Sequence, residues 1–153
     1  MAKEEDWQVM IDTNITGLLR FTRAFLPEMI EKKNGQIINI GSISGHETYA
    51  GGSVYTGTKH AVRAISKSLR IELLGKNIRV NMISPGMVDT EFSAVRLKDE
   101  KKAEQVYQNF KPLHAIDIAK CVVFAAAAPK HVNIDDMIVM PTDQASVHHV
   151  HRT

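Results

Sequence analysis

The run Ile37-Ile38-Asn39-Ile40 constrains the fold more than any other stretch of this chain. It lacks the apolar–polar alternation of a strand with one wet face, so it reads as a short strand, Gln36 to Ile40, of a parallel sheet covered on both sides. A loop rich in Gly, Ser and Thr follows from Ser42 to Ser53, in the manner of active-site loops held by rigid scaffolds. A helix from about Val54 to Leu74 comes next, with Val62, Ile65, Leu69 and Leu73 at core spacing and Gly75-Lys76-Asn77 ending it. Ile78 to Ile83 is the second strand and Met137 to Met140 the last. The fold class expected is α/β.

Upstream, residues 3–31 read as one long helix. Glu4, Glu5 and Asp6 stand in its first turn, where the helix dipole favours negative charge, and Trp7, Met10, Ile11, Leu18, Phe21, Phe25 and Met29 recur at helical spacing. Lys32-Lys33-Asn34-Gly35 stops it. Asn14 falls in the middle of this helix, where a polar residue on an apolar face needs a reason; satisfaction by neighbouring backbone is one. Residues 91–111 are charged and weakly periodic, with an amphipathic stretch near Glu104 to Phe110, and residues 115–128 form another apolar helix closed by Pro129.

Tyr55 and Lys59 stand four residues apart on the helix, which places their side chains on one face with β-carbons roughly 5–6 Å apart. An ammonium at that range favours a phenolate, so a tyrosine there can exchange a proton with an alcohol or carbonyl near neutral pH. Ser42, at the carboxyl end of the first strand, offers a hydroxyl to hold the same oxygen. A bare Tyr-x-x-x-Lys is weak and equally describes a surface tyrosine and lysine on an amphipathic helix. Ser42 thirteen residues earlier changes the balance, as do Asp12-Thr13-Asn14-Ile15-Thr16-Gly17 upstream and Arg79-Val80-Asn81-Met82-Ile83-Ser84-Pro85-Gly86-Met87-Val88-Asp89-Thr90 downstream.

Taken in order, these stretches resemble the short-chain dehydrogenase/reductase family, over the whole chain. The resemblance implies a Rossmann-like parallel sheet and gives each motif residue a role. Tyr55 acts as acid/base, Lys59 lowers its pKa and binds the nicotinamide ribose, and Ser42 binds the substrate oxygen. Asn14 marks a helix distortion whose freed carbonyl holds a water linked to Lys59. The segment Pro85, Gly86, Met87, Val88 and Thr90 lies against the nicotinamide; on the residues alone, Pro-Gly is a plain strand-ending turn. Residues 91–111 become a mobile flap over the substrate, where Arg96 either reaches a substrate carboxylate through its planar fork or is simply solvated.

Asp6-Trp7 to Gly17, Tyr49-Ala50-Gly51-Gly52, Thr90-Glu91-Phe92-Ser93-x-Val95-Arg96, His131-Val132-Asn133-Ile134 and Val150-His151-Arg152 are similar to the NADP-dependent 3-hydroxy acid dehydrogenases of that family. That subgroup oxidises L-serine and L-allo-threonine and reduces malonic semialdehyde. The likeness implies NADP(H), a 3-hydroxy acid substrate such as these or 3-hydroxypropionate, and a homo-oligomer, dimer or tetramer, built through the helices at 3–31 and 54–74.

Only the second half of the family pattern is present: no G-x-x-x-G-x-G or G-x-G-x-x-G occurs in the 153 residues. The expectation is one truncated catalytic domain over 1–153, with about three strands, long flanking helices and a bare apolar edge at strand 36–40. Two readings follow. In one the chain is part of an enzyme; in the other it is a catalytically inactive oligomerisation or interaction module with vestigial site residues. A net charge of +2 with 24% charged residues, acids and bases intermixed, gives no case for nucleic acid or an anionic membrane. One cysteine, Cys121, in an apolar helical run, and no apolar stretch near eighteen residues point to a soluble, cytoplasmic protein. His148, His149 and His151 in the tail suggest either a metal site, which lacks a carboxylate or thiol to complete it, or a terminal segment packing on a neighbouring subunit.

Overall fold

The structure, a computed structural model, describes residues 3–97 and 99–153, the side chains at 96, 97, 100 and 103 aside. The N-terminal helical stretch is three pieces: α1 (Glu4–Ile11), a π-helical turn over Asp12–Gly17, and α2 (Leu18–Glu31). The single long helix expected over 3–31 is therefore interrupted at the segment that holds Asn14. A π turn leaves the i→i+4 ladder locally out of step and is found mostly at functional sites. Lys33 adopts φ 46° just past α2, with the Asn34 N–H donating to the Met29 carbonyl at 3.1 Å, so the helix closes through a left-handed residue.

Strands β1 (Gly35–Ile40), β2 (Ile78–Pro85) and β5 (Asp136–Val139) form a parallel sheet in the order β1-β2-β5. The register pairs Gly35 with Ile78 through Ile40 with Ile83, and Met82 with Asp136 through Pro85 with Val139. A second, two-stranded parallel pair, β3 (Val88–Asp89) with β4 (Leu113–His114), closes the base of the segment between them. That segment contains α4 (Phe92–Leu97) and α5 (Glu100–Val106), so residues 91–111 are more helical than their weak periodicity suggests. The amphipathic stretch expected to reach Phe110 ends early, at Tyr107, before Asn109 turns left-handed at φ 60°.

Alternation along the strands divides the layers. Helix α3 (Ser53–Glu72) brings Leu69, followed by Leu73, onto Ile78 and Val80, with Leu26, Met29, Ile37 and Ile65 packed around them. On the opposite face, Gln36 and Arg79 reach α6 (Ala115–Ala127): Gln36 Nε2 donates to the Ala125 carbonyl at 3.0 Å. Arg79 donates to the Ala126 and Ala128 carbonyls at 3.0 and 2.8 Å. The guanidinium thus occupies the C-terminal end of α6, where orphan carbonyls and the helix dipole favour a cation. Because β2 is central, its Val80 and Ile83 are fully buried, whereas Ile40 at the end of the outer strand β1 is 47% exposed. A groove of about 460 Å³ runs along that outer strand beneath Leu18, Phe21 and Phe25 of α2. Among the described residues no helix is long and apolar enough to cross a membrane.

Candidate active site

The site is assembled where β1 and β2 end. Gly41 leaves β1 with its N–H on the Ile83 carbonyl at 2.7 Å, and a β-carbon there would meet Met82 Sδ and Ser84 Oγ at 2.9 Å. Ser42 follows in extended backbone, and its Oγ accepts from the Ser44 N–H at 3.0 Å, capping a one-turn 3₁₀ helix, Ile43–Gly45. That turn rests directly on α3: a β-carbon at Gly45 would lie 2.8 Å from the Lys59 carbonyl oxygen. The loop then returns through Tyr49, whose ring fills the space beside Gly52, into the start of α3.

Tyr55 and Lys59 share one face of α3, with Lys59 Nζ 6.0 Å from the Tyr55 ring centroid. Lys59 Nζ donates to the Ile40 carbonyl at 3.0 Å, and burial pushes this lysine below its ordinary pKa. Asn14 reaches the same helix from the π turn, its Nδ2 donating to Thr58 Oγ1 at 3.1 Å. The helix is distorted at Asn14, and its side-chain amide bonds Thr58 of α3.

The end of β2 supplies the opposite wall. The Gly86 N–H donates to the Val139 carbonyl at 2.7 Å and the Met87 N–H to Gln144 Oε1 at 2.8 Å. A β-carbon on Gly86 would sit 2.4 Å from that same Gln144 oxygen, so a side chain there would push Gln144 off the Met87 N–H. Thr90 Oγ1 accepts from the Phe92 N–H at 3.3 Å, and the Phe92 ring lies 5.3 Å from that of Tyr55.

One cavity of about 440 Å³ is lined by Asn14, Ser42, Tyr55, Lys59, Pro85, Gly86, Met87, Val88 and Thr90 together. The side chain of Arg96 lies outside the described residues. Several lining residues were not singled out by the sequence: Tyr49, Phe92, Tyr107, Gln144 and Val147. Tyr107 donates to the Val88 carbonyl at 2.8 Å and pairs with Ser93 Oγ at 2.7 Å. None of these carries a local spacing that marks it; the Tyr49-Ala50-Gly51-Gly52 stretch and the segment from Thr90 were the nearest signals. The tail histidines bond within the chain: His148 Nε2 donates to the Thr48 carbonyl at 2.8 Å and His149 Nδ1 pairs with Ser146 Oγ at 2.8 Å.

A parallel sheet with Ser42 just past the end of β1, and Tyr55 and Lys59 on the following helix α3, all lining one cavity, defines a dehydrogenase of the short-chain type. The chain matches the short chain dehydrogenase family model over residues 1–101 and belongs to that family. It is 49% identical over 146 residues to the NADP-dependent 3-hydroxy acid dehydrogenase of Escherichia coli strain K12, covering 94% of this chain and 59% of that protein. It is 46% identical over 142 residues to the serine 3-dehydrogenase of Rhizobium radiobacter, covering 92% of this chain and 57% of that protein. Its fold superposes on the closed form of a serine dehydrogenase complexed with NADP+ with a TM-score of 0.94 and 48% identity, over 99% of this chain and 62% of the other. The chain therefore spans about six tenths of the length of these relatives.

Proposed function

We propose that this chain is the proton-transfer half of an NADP(H)-dependent oxidoreductase that interconverts the alcohol of a small 3-hydroxy acid and the corresponding carbonyl. L-Allo-threonine, L-serine and 3-hydroxypropionate, with malonic semialdehyde in the reverse direction, are the substrates of choice. The observation that carries this reading is the convergence of Ser42, Tyr55 and Lys59 with the Pro85–Thr90 wall on one cavity, whose volume falls in the ordinary range for small ligands.

The residues present fit the nicotinamide–ribose end of a dinucleotide. Lys59 is a half-buried ammonium with three donors, one of them on the Ile40 carbonyl, which suits it to ribose hydroxyls. The Pro85–Val88 backbone stands at the carboxyl end of a parallel strand, where ligands dock in α/β sheets. Lys59, Tyr55, Pro85, Gly86, Met87, Val88 and Thr90 would hold that end. The chain carries no Gly-rich phosphate cradle. When bound, the nicotinamide takes up or supplies the hydride.

In alcohol oxidation, Ser42 holds the substrate oxygen and Tyr55 takes its proton; in reduction Tyr55 returns it. The Lys59 charge stabilises the phenolate form of Tyr55. Asn14 completes the proton path by fixing the π turn against α3. Residues 91–111 cover the substrate, with Arg96 on its carboxylate. The exposed Phe21 and Phe25 of α2 and Ile71 and Leu74 at the end of α3 suit contacts with a second copy.

The test is NADP+ reduction at 340 nm by the full-length protein with L-allo-threonine, L-serine and 3-hydroxypropionate, each repeated with NAD+. Turnover with NADP+ on at least one of them is expected. No reduction with any, and no NADPH oxidation with malonic semialdehyde, would remove the reading.

A further inference from the structure

Behind the cavity lies a polar cluster that none of the roles above uses. His46 stands immediately after the 3₁₀ turn that Ser42 caps, and its N–H donates to the Ile43 carbonyl at 2.9 Å. Its ring turns away from the cavity. Nε2 lies 3.0 Å from Asp136 Oδ2 on β5 and 3.3 Å from Ser84 Oγ on β2. Ser84 Oγ in turn donates to the other carboxylate oxygen, Asp136 Oδ1, at 2.7 Å. Arg63, one turn beyond Lys59 on α3, brings its Nε to 3.9 Å from Asp136 Oδ2, and that Nε is buried with no hydrogen-bond partner.

The hydrogen-bond pattern fixes the tautomer. A carboxylate only accepts, so Nε2 carries the proton. Burial outweighs the Asp136 carboxylate and, with the charges of Arg63, His60 and Lys67, holds His46 below its ordinary pKa, so near neutral pH the ring is the neutral Nε2–H form. The cluster joins three parts of the site. Through His46 it holds the far end of the turn that carries Ser42; through Ser84 it holds the residue before Pro85-Gly86; through Arg63 it reaches α3 one turn past Lys59.

We propose that His46 is a positioning residue: by anchoring the 3₁₀ turn to Asp136 and Ser84, it sets where the Ser42 hydroxyl meets the substrate oxygen. This rests on the reading that Ser42 binds that oxygen. His46 is not among the residues that line the cavity, so its loss is expected to act on the chemical step and to leave cofactor binding little changed.

The experiment compares His46→Ala and His46→Gln with the parent in the full-length protein, by steady-state kinetics and by amide hydrogen exchange at Ser44, whose N–H bonds Ser42 Oγ. A misplaced reacting group costs up to about 100-fold, so His46→Ala is expected to lower kcat by about tenfold with KM for NADP+ within about twofold. His46→Gln, which retains a side-chain N–H donor near the Nε2 position, is expected to recover most of that loss. Ser44 exchange should quicken by about tenfold in the alanine variant only, a shift equivalent to one hydrogen bond of the turn. Parent-like kcat in His46→Ala, equal losses in both variants, or unchanged Ser44 protection overturns the proposal. If His46→Ala does not fold, Asp136→Asn, which cannot accept from both His46 and Ser84 as the carboxylate does, takes its place: lowered kcat at constant KM for NADP+ supports the proposal and parent-like kcat overturns it. A parent that oxidises no hydroxy acid defeats the functional reading instead, and the exchange rates then decide the positioning by themselves.

Discussion

Asn14 Nδ2 donates to Thr58 Oγ1 at 3.1 Å, and the same Thr58 oxygen donates to the Tyr55 carbonyl at 2.8 Å. A hydroxyl that accepts from one element and donates within another locks the π turn of Asp12–Gly17 to the first turns of α3, where Thr58 is only 3% exposed. A double-mutant cycle of Asn14→Ala and Thr58→Val is expected to give a coupling of about 0.5–1.5 kcal/mol by urea denaturation of the full-length protein. Coupling indistinguishable from zero would show that the contact does not hold the two elements together.

Tyr55→Phe removes the hydroxyl and keeps the ring against Phe92, 5.3 Å away centroid to centroid. Loss of a general acid/base costs about 10²–10⁴-fold, so turnover should fall by at least about 100-fold while NADPH affinity, read by fluorescence titration, stays nearly unchanged. Near-normal turnover would remove Tyr55 from the proton-transfer role.

The sheet was legible in the sequence because its strands are short apolar runs, and the central one, β2, is buried along nearly its whole length. Ile37-Ile38-Asn39-Ile40 and Val80 to Ile83 lack alternation, and the long helical pattern between them is the crossover that a parallel pair needs. The Tyr55–Lys59 pair was legible because helix spacing puts positions four apart on one face. On the residues alone the π turn had only the indirect signal of a polar Asn14 at mid-helix; the distortion itself was implied by the family resemblance. Tyr107 and Gln144 carried none, since each reaches the cavity from far along the chain through a backbone bond: Tyr107 to the Val88 carbonyl, Gln144 to the Met87 N–H. The His46–Asp136 contact spans ninety residues, from a loop to the first residue of β5, and charge pattern does not reveal such a pairing. Pairings of that kind are set by where the sheet ends.

Lys59 is held by burial below the ordinary lysine value of 10.5. Between the two values the unfolded chain binds more protons than the folded one, so stability rises with pH across that window, and below it the charged side chain is a cost. Lys59→Met is therefore expected to raise stability at pH 7 by about 0.5–2 kcal/mol, as relief of strained functional sites commonly does. That gain should shrink as pH approaches 10.5, and turnover should be lost at every pH. Denaturation midpoints for both proteins from pH 7 to 10.5 provide the check. A variant less stable than the parent at pH 7, or an advantage that does not diminish, contradicts the account.

Arg152 ties the C-terminal end of the chain to the far end of segment 91–111. Its Nη2 donates to the Val106 carbonyl at 3.0 Å, its Nη1 donates to the Gln108 carbonyl, and its guanidinium stands 4.9 Å from the Phe110 ring centroid. The Thr153 N–H adds a bond to the Asn109 carbonyl at 2.8 Å. Arg152→Ala should make local opening of the segment easier by about 1 kcal/mol, a roughly fivefold rise in its open population. Where opening is fast relative to cleavage, proteolysis follows that population. Trypsin cleavage after the exposed Lys101 and Lys102 is thus expected to quicken about fivefold, with the global denaturation midpoint little changed. Equal cleavage rates would place the anchor of this segment elsewhere; a drop in global stability that matches the faster cleavage would mean the strap holds the whole domain and not the segment.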